Sequence, residues 1–294
     1  MGFSEYEGLK FVKAVASGND FVLVDNRMEI IKDRARFAKG VCRRHFSIGA
    51  DGVIFLEKPY IEGTDFGFRI FNPDGSEAEM CGNGSRCFAL FLEHLGLVEE
   101  NRDYSFSSLA GRVSFRVYSE EKKSSEGYDA ETVSGVVKRV NVFLGKVRDI
   151  LEEGIITAGG KEWKFSFANT GVPHVVIFLP QNGHDIESVD VESLGREIRF
   201  SSRFSPAGTN VNFAQLVENG TLRVRTYERG VEKETLSCGT GSSASGYLAY
   251  LRGLVRDLPV KVLTTSGEVL KIIPHGDGVF LDGEVKLVYE GALL

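Results

Sequence analysis

Short apolar runs, alternating or continuous, set the hydrophobic pattern of this chain and predict strands, with a few longer runs of helical character between them. Residues 11–25, FVKAVASGNDFVLVD, predict two strands around a Ser-Gly-Asn-Asp turn, and Ile31, Ala35, Ala38 and Val41 fall at helical spacing within 31–44. GADGVIFLE predicts a glycine-rich turn and a buried strand. In FGFRIFNPDGSEAEM, Phe66, Phe68 and Ile70 alternate as in a half-buried strand, ahead of a turn at Asn72-Pro73-Asp74-Gly75. The run FALFLEHLGLV is apolar on most faces and predicts a buried helix that stops at Gly96. YSFSSLAGRVSFRVYS and VKRVNVFLG predict further strands, joined by the polar stretch EEKKSSEGYDAETVSG.

The second half repeats this order. Strands are predicted around 163–167 and at VPHVVIFL, then a helix at VESLGREIRF, then GTNVNFAQLV and LRVRTYE. The turn Asn169-Thr170-Gly171-Val172-Pro173-His174 answers Ser17-Gly18-Asn19-Asp20-Phe21 of the first half. The pattern reads as a diverged duplication, mostly β with one buried helix per half. Its period is far too long for a solenoid, so two similar domains are expected, 1–135 and 136–282. The tail VFLDGEVKLVYEG offers closing strands, with about 283–294 returning to the first domain.

Composition narrows the function classes. The chain is 42% apolar and 26% charged with a net charge of −6, so a globular protein without a nucleic-acid surface is expected. No apolar run approaches the roughly 18 residues that cross a bilayer. MGFSEYEGLK has no signal-peptide core, and Tyr6 stands where myristoylation needs Ser or Thr. A cytoplasmic protein that touches no membrane is expected. Its four cysteines, 42, 81, 87 and 238, then read as reduced thiols. There is no Cys-x-x-Cys pair, and the five histidines are scattered without ligand spacing, so no metal site is expected.

Two stretches carry the chemistry. Residues 81–87 read CGNGSRC and residues 238–244 read CGTGSSA, each after a polar, turn-rich segment and each leading into an apolar helical run. A lone cysteine is ordinarily an inert, buried small hydrophobe. Two copies of Cys-Gly-x-Gly at matching places point instead to paired thiols at helix N-termini, where unpaired N–H groups favour the thiolate. The glycines also let backbone N–H groups approach an anionic ligand closely. Cys42 and Cys87 lack this setting and read as structural. GTGSSA also satisfies the dinucleotide pattern G-x-G-x-x-A, but the polar ERGVEKETLSC before it is not the buried strand that a nucleotide fold needs.

Other residues read two ways. His174, at a strand start in VPHVV, is either a satisfied core histidine or a partner poised beside a thiol. Glu228-Arg229 fits an ordinary surface ion pair, and Asn72 and Asn210 lie where turns favour asparagine in any case.

With these residues in view the chain closely resembles the diaminopimelate epimerases, cofactor-independent enzymes that interconvert LL- and meso-diaminopimelate. The likeness runs nearly end to end, through SGNDFVLVD, GADGVIF, FRIFNPDGSEAEMCGNGSRCFA, NTGVPHVV, GTNVNF and RVRTYERGVEKETLSCGTGSSA. It implies two pseudo-symmetric α/β (α+β) domains, each a β-barrel-like sheet around a central helix, with the active site in the cleft between them. It also implies a homodimer, no cofactor, and a place in lysine synthesis, peptidoglycan-precursor synthesis or both. Cys238 would take the α-proton of the LL substrate while Cys81, as a thiol, delivers one to the opposite face. Gly82-Asn83 and Gly239-Thr240 would hold the α-carboxylate through backbone N–H groups. Asn19, Asn72, Asn210, Glu228 and Arg229 would grip the rest of the substrate, and His174 and Glu228 match positions that assist the thiols.

The residue types suit that chemistry. An amino-acid α-proton is very weakly acidic, and no lysine-centred site for pyridoxal phosphate is evident in the sequence. Inversion then needs an acid and a base on opposite faces, which one thiol and one thiolate supply. The chain departs from the family at Gly52, where some members carry glutamine, and at Val172, where others carry asparagine. Asn169 or Thr170 could take over the latter's contact, or the site could rely on Arg229 and Asn72. The alternative reading is a related cofactor-independent racemase of another amino acid.

Overall fold

The computed structural model describes residues 4–119 and 136–294, and the polar joint with the boundary expected near 135 lies outside them. Contacts divide the chain into two compact units. One comprises the residues up to 142 together with 283–294, and the other comprises 143–282.

In the first unit the elements are β1 (Lys10–Ala16), β2 (Asn19–Asp25), α1 (Arg34–Val41), β3 (Gly52–Glu57), β4 (Phe66–Phe71), β5 (Glu77–Ala78), α2 (Gly82–His94), β6 (Asp103–Ser108) and β7 (Gly111–Tyr118). The hairpin β1–β2 turns at Ser17 and Gly18, both at positive φ, as the sequence leads one to expect. β2 runs parallel to β3, β3 antiparallel to β4, β4 parallel to β6, and β6 antiparallel to β7.

Next, β8 (Val136–Lys146) carries the chain into the second unit, which holds β9 (Arg148–Ala158), β10 (Lys161–Asn169), β11 (Pro173–Phe178), α3 (Val191–Arg199), β12 (Asn210–Leu216), β13 (Leu222–Glu228), β14 (Lys233–Thr235), α4 (Gly239–Leu251), β15 (Val260–Leu263) and β16 (Val269–His275). Finally, β17 (Gly278–Ala292) pairs with β16 at its start and with β1 at its end.

The pairing pattern repeats. An antiparallel hairpin (β10–β11) is followed by a helix and a parallel neighbour (β11–β12), then by an antiparallel partner (β12–β13), a short strand, a second helix and a parallel return (β13–β15). This is the order of the first unit, so the duplication is visible in topology as well as in motif.

Each unit has two layers of core. On the outside α1 and α3 cover one face of their sheets. Val22, Val24, Phe37, Val53, Phe55 and Phe71 form the first of these cores, and Trp163, Val175, Ile177, Ile198, Val211 and Phe213 the second. On the inside the barrel-like sheet wraps α2 or α4. Residues 82–92 of α2 and 239–249 of α4 are buried without a break, which fits their nearly all-apolar or small-residue sequences. Phe88 of α2 meets Phe68 and Phe106 edge-on, each at 5.2 Å between ring centroids.

Two details differ from the sequence reading. Helix α1 is shorter than the 31–44 pattern, because Asp33 caps it by accepting from the Arg36 N–H. Ile31 instead lies before the cap, its N–H bonded to the Asn26 side chain. Strand β9 carries no readable alternation, since residues 148–153 are all exposed, and its pairing with β10 defines it.

Candidate active site

Strand alternation decides which side chains reach the inner helix. In the first unit Val22, Val24, Val53, Phe55 and Phe71 face α1, so Asn19, Ile54 and Ile70 take the α2 side. Cys81 is the N-cap of α2, in extended geometry, and its Sγ accepts the Gly84 N–H at 3.4 Å. Sγ also lies 3.9 Å from Asn19 Oδ1. The Asn19 amide is oriented from behind, because its Nδ2 donates to Asp51 Oδ2 at 2.8 Å. Asp51 in turn accepts from Arg44 at 2.9 Å, and Arg44 also binds Asp20. Burial pushes the Asp20 carboxyl up, but bonds from Lys13 and Arg44 outweigh it and hold that carboxyl below its usual range.

Gly84 packs closely: a Cβ there would stand 3.1 to 3.3 Å from Ile70, Ile54 and Cys81, so the glycine eases the seating of the first turn of α2 on the sheet. Gly82 and Asn83 form that turn, where the helix itself offers the N–H groups no acceptor, and no acid lies there to compete for an anion. The Asn83 side chain accepts from buried Arg86 at 2.7 Å, and Arg86 also binds Ser17 Oγ at 2.7 Å and the Glu284 carbonyl at 3.0 Å. Asn72 sits exposed in its turn and donates to Ser76 Oγ at 3.0 Å. Gly52 is fixed by packing: a Cβ would come within 2.9 Å of the Phe71 carbonyl.

In the second unit Val175, Ile177, Val211, Phe213 and Tyr227 face α3. Alternation therefore turns His174, Asn210, Asn212, Thr226 and Glu228 toward the α4 side. His174 and Asn210 are paired across the parallel β11–β12 ladder. The His174 ring is fully buried, and burial, with the nearby Arg229 charge, pushes its pKa down to about 3. It is therefore neutral at physiological pH. Asn210 spends both ends of its amide on main chain, donating to the Pro173 carbonyl at 3.1 Å and accepting from the Arg229 N–H at 2.8 Å. The Glu228 carboxylate accepts from Thr235 Oγ1 at 2.9 Å.

Cys238 is the N-cap of α4, buried, with its Sγ 3.5 Å from Thr240 Oγ1. Gly239 and Thr240 follow as the first turn, again without an acid. The Thr170 hydroxyl donates to the Thr240 carbonyl, 3.0 Å away. The Asn169 side chain accepts from the Gly171 N–H at 3.1 Å, closing its own turn. Each unit thus presents a thiol at the cap of an encased helix, at the same step of the same topology. None of the four cysteines is in a disulfide. Burial pushes the Cys42 thiol up to about 12, consistent with a structural role.

A sequence model of the diaminopimelate epimerase family matches residues 11–134 and 166–288. Two relatives bear that name. The one from Aquifex aeolicus is 44% identical, over 97% of this chain and 98% of its own. The one from Methanocella arvoryzae is 40% identical, over 97% and 96%. The chain belongs to the diaminopimelate epimerase family. Solved structures share the fold at lower identity. A PhzF-family phenazine biosynthesis protein of Bacillus anthracis aligns with a TM-score of 0.69 at 15% identity, over 98% of this chain and 99% of that one. A probable proline racemase of Agrobacterium radiobacter K84 gives 0.67 at 15%, over 97% and 93%.

Four residues of this epimerase-family chain escape sequence reading. Asp51, Arg86 and Asn212 contact the expected site residues Asn19, Asn83 and His174 within their own units, and Thr226 contacts Asn212. All four lie inside motifs quoted above, but nothing in one sequence separates an orienting residue from its neighbours.

Proposed function

We propose that this chain interconverts LL- and meso-diaminopimelate without pyridoxal phosphate, using Cys238 and Cys81 as base and acid on opposite faces of the α-carbon. The observation that carries the reading is the repeated one: a cysteine caps the encased helix of each unit, ahead of a glycine-containing first turn with no acid in it. Membership in the family supplies the substrate and the reaction class, an isomerase acting on diaminopimelate.

In the LL direction the Cys238 thiolate takes the α-proton and becomes a thiol. The Cys81 thiol gives its proton to the other face and becomes a thiolate, and the reverse reaction exchanges the roles. The carbanion between these steps spreads its charge into the α-carboxylate, which first-turn N–H groups at Gly82-Asn83 and Gly239-Thr240 stabilise. Asn19, Asn72, Asn210, Glu228 and Arg229 hold the remaining amino and carboxylate groups, and His174 and Glu228 support the thiols. The protein acts in the cytoplasm as a homodimer, within lysine and peptidoglycan-precursor synthesis.

The test is to incubate the reduced protein with LL-diaminopimelate, adding no pyridoxal phosphate, and to resolve the stereoisomers by chiral chromatography. Accumulation of the meso isomer toward equilibrium supports the reading, and an unchanged LL substrate overturns it.

A further inference from the structure

Asn212 lies in β12 on the α4-facing side, fully buried. Its amide is oriented by two groups that leave no choice of flip. Nδ2 lies 2.9 Å from the Val175 carbonyl, which can only accept, and Oδ1 lies 3.0 Å from the Thr226 hydroxyl. The second Nδ2 hydrogen is then aimed at His174 Nδ1, 3.2 Å away. An amide NH2 group cannot accept, so Nδ1 must be the unprotonated nitrogen and the ring proton must sit on Nε2. Among the described residues Nε2 has no hydrogen-bond partner, although it is wholly buried. A buried donor without an acceptor is costly unless a ligand or a reacting group completes it.

We infer that Asn212 is a positioning residue that sets His174 in the neutral Nε2–H tautomer, so that the ring gives a hydrogen bond from Nε2 to an anion and does not take a proton there. The acceptor is a thiolate or a substrate carboxylate, the two anions of the proposed reaction. The inference rests on that reading for the identity of the anion, and on geometry alone for the tautomer. His174 then supports a thiol by stabilising its charged form, not by deprotonating it. Gly241 belongs to the same device. A Cβ at that position would stand 2.3 Å from Asn212 Oδ1, so the second glycine of CGTG leaves room for the orienting amide.

The experiment is long-range 1H–15N correlation spectroscopy of the full-length, 15N-histidine-labelled protein, with the ring signals assigned by their loss in His174→Gln. The expected spectrum shows Nε2 as the protonated nitrogen and Nδ1 as the bare one, unchanged between pH 8 and pH 5. A protonated Nδ1, or a ring that titrates in this window, overturns the inference. Asn212→Asp supplies an acceptor where the parent has a donor and is expected to invert the tautomer. With that inversion kcat should fall on the order of tenfold or more while KM changes little. An unaltered tautomer in a folded Asn212→Asp protein would also overturn it. The spectrum reads the ring whether or not diaminopimelate is the substrate, so failure of the function reading is a separate outcome.

Discussion

Burying a neutral histidine ties the stability of the second unit to pH. The unfolded chain protonates His174 near the ordinary value of about 6.5, whereas in the fold burial and Arg229 push it down to about 3. The native pKa is thus the lower one, and below about pH 6.5 the unfolded state binds the extra proton. Stability attributable to this residue is intact above that pH and declines as pH falls, levelling off below about 3. The penalty is roughly a tenth or two of a kcal/mol at pH 7, about 2 kcal/mol at pH 5, and about 5 kcal/mol once both states are protonated.

Trp163, the sole tryptophan, is buried in the core of the same unit and reports its unfolding. His184 stacks on that indole at 4.6 Å, so the urea midpoint rather than the emission intensity is the quantity to read. The parent is expected to lose about 2 kcal/mol more between pH 7 and pH 5 than His174→Gln does, because the variant keeps an acceptor for Asn212 and has nothing to titrate. Parallel pH dependences in the two proteins would refute the account of a buried neutral ring.

Three further outcomes follow from packing and thiol chemistry. With Cys42 at about 12, its thiolate fraction at pH 8 is about one in ten thousand, so brief iodoacetamide treatment of the native protein should leave it unmodified by mass spectrometry, whereas unfolding in urea exposes it. Gly241→Ala should cost about 1–3 kcal/mol and lower kcat, because the new methyl displaces the Asn212 amide; an unchanged urea midpoint would contradict the close approach. Phe88→Ala empties the centre of the aromatic cluster around α2 and should destabilise the first unit by about 3–5 kcal/mol, checked by thermal denaturation.

How much of this was legible in the sequence differs from feature to feature. Strand alternation and the two encased helices could be read because burial on one or both faces writes itself into the order of apolar residues. The doubling was legible through CGNG and CGTG, since a thiol at a helix start next to glycine is an uncommon arrangement to meet twice. Helix α1 was overextended because Ile31 is apolar for packing outside the helix, and only the Asp33 cap marks the true start. Strand β9 was missed because residues 148–153 are all exposed and show no alternation of buried and exposed positions. At the site, Asp51 holds the Asn19 amide and Asn212 faces the His174 ring, and both contacts join segments far apart in the chain. Asn210 was legible as a site residue, but not that both ends of its amide serve the backbone.

The central claim is that two thiols, one from each unit, share one proton inversion. It is tested most directly by running the reaction in heavy water with the parent, Cys81→Ala and Cys238→Ala, following the α-position by mass spectrometry and the stereoisomers by chiral chromatography. The account predicts deuterated meso-diaminopimelate from LL substrate with the parent, and loss of epimerisation in each single variant. Epimerisation at the parent rate by either variant would contradict it.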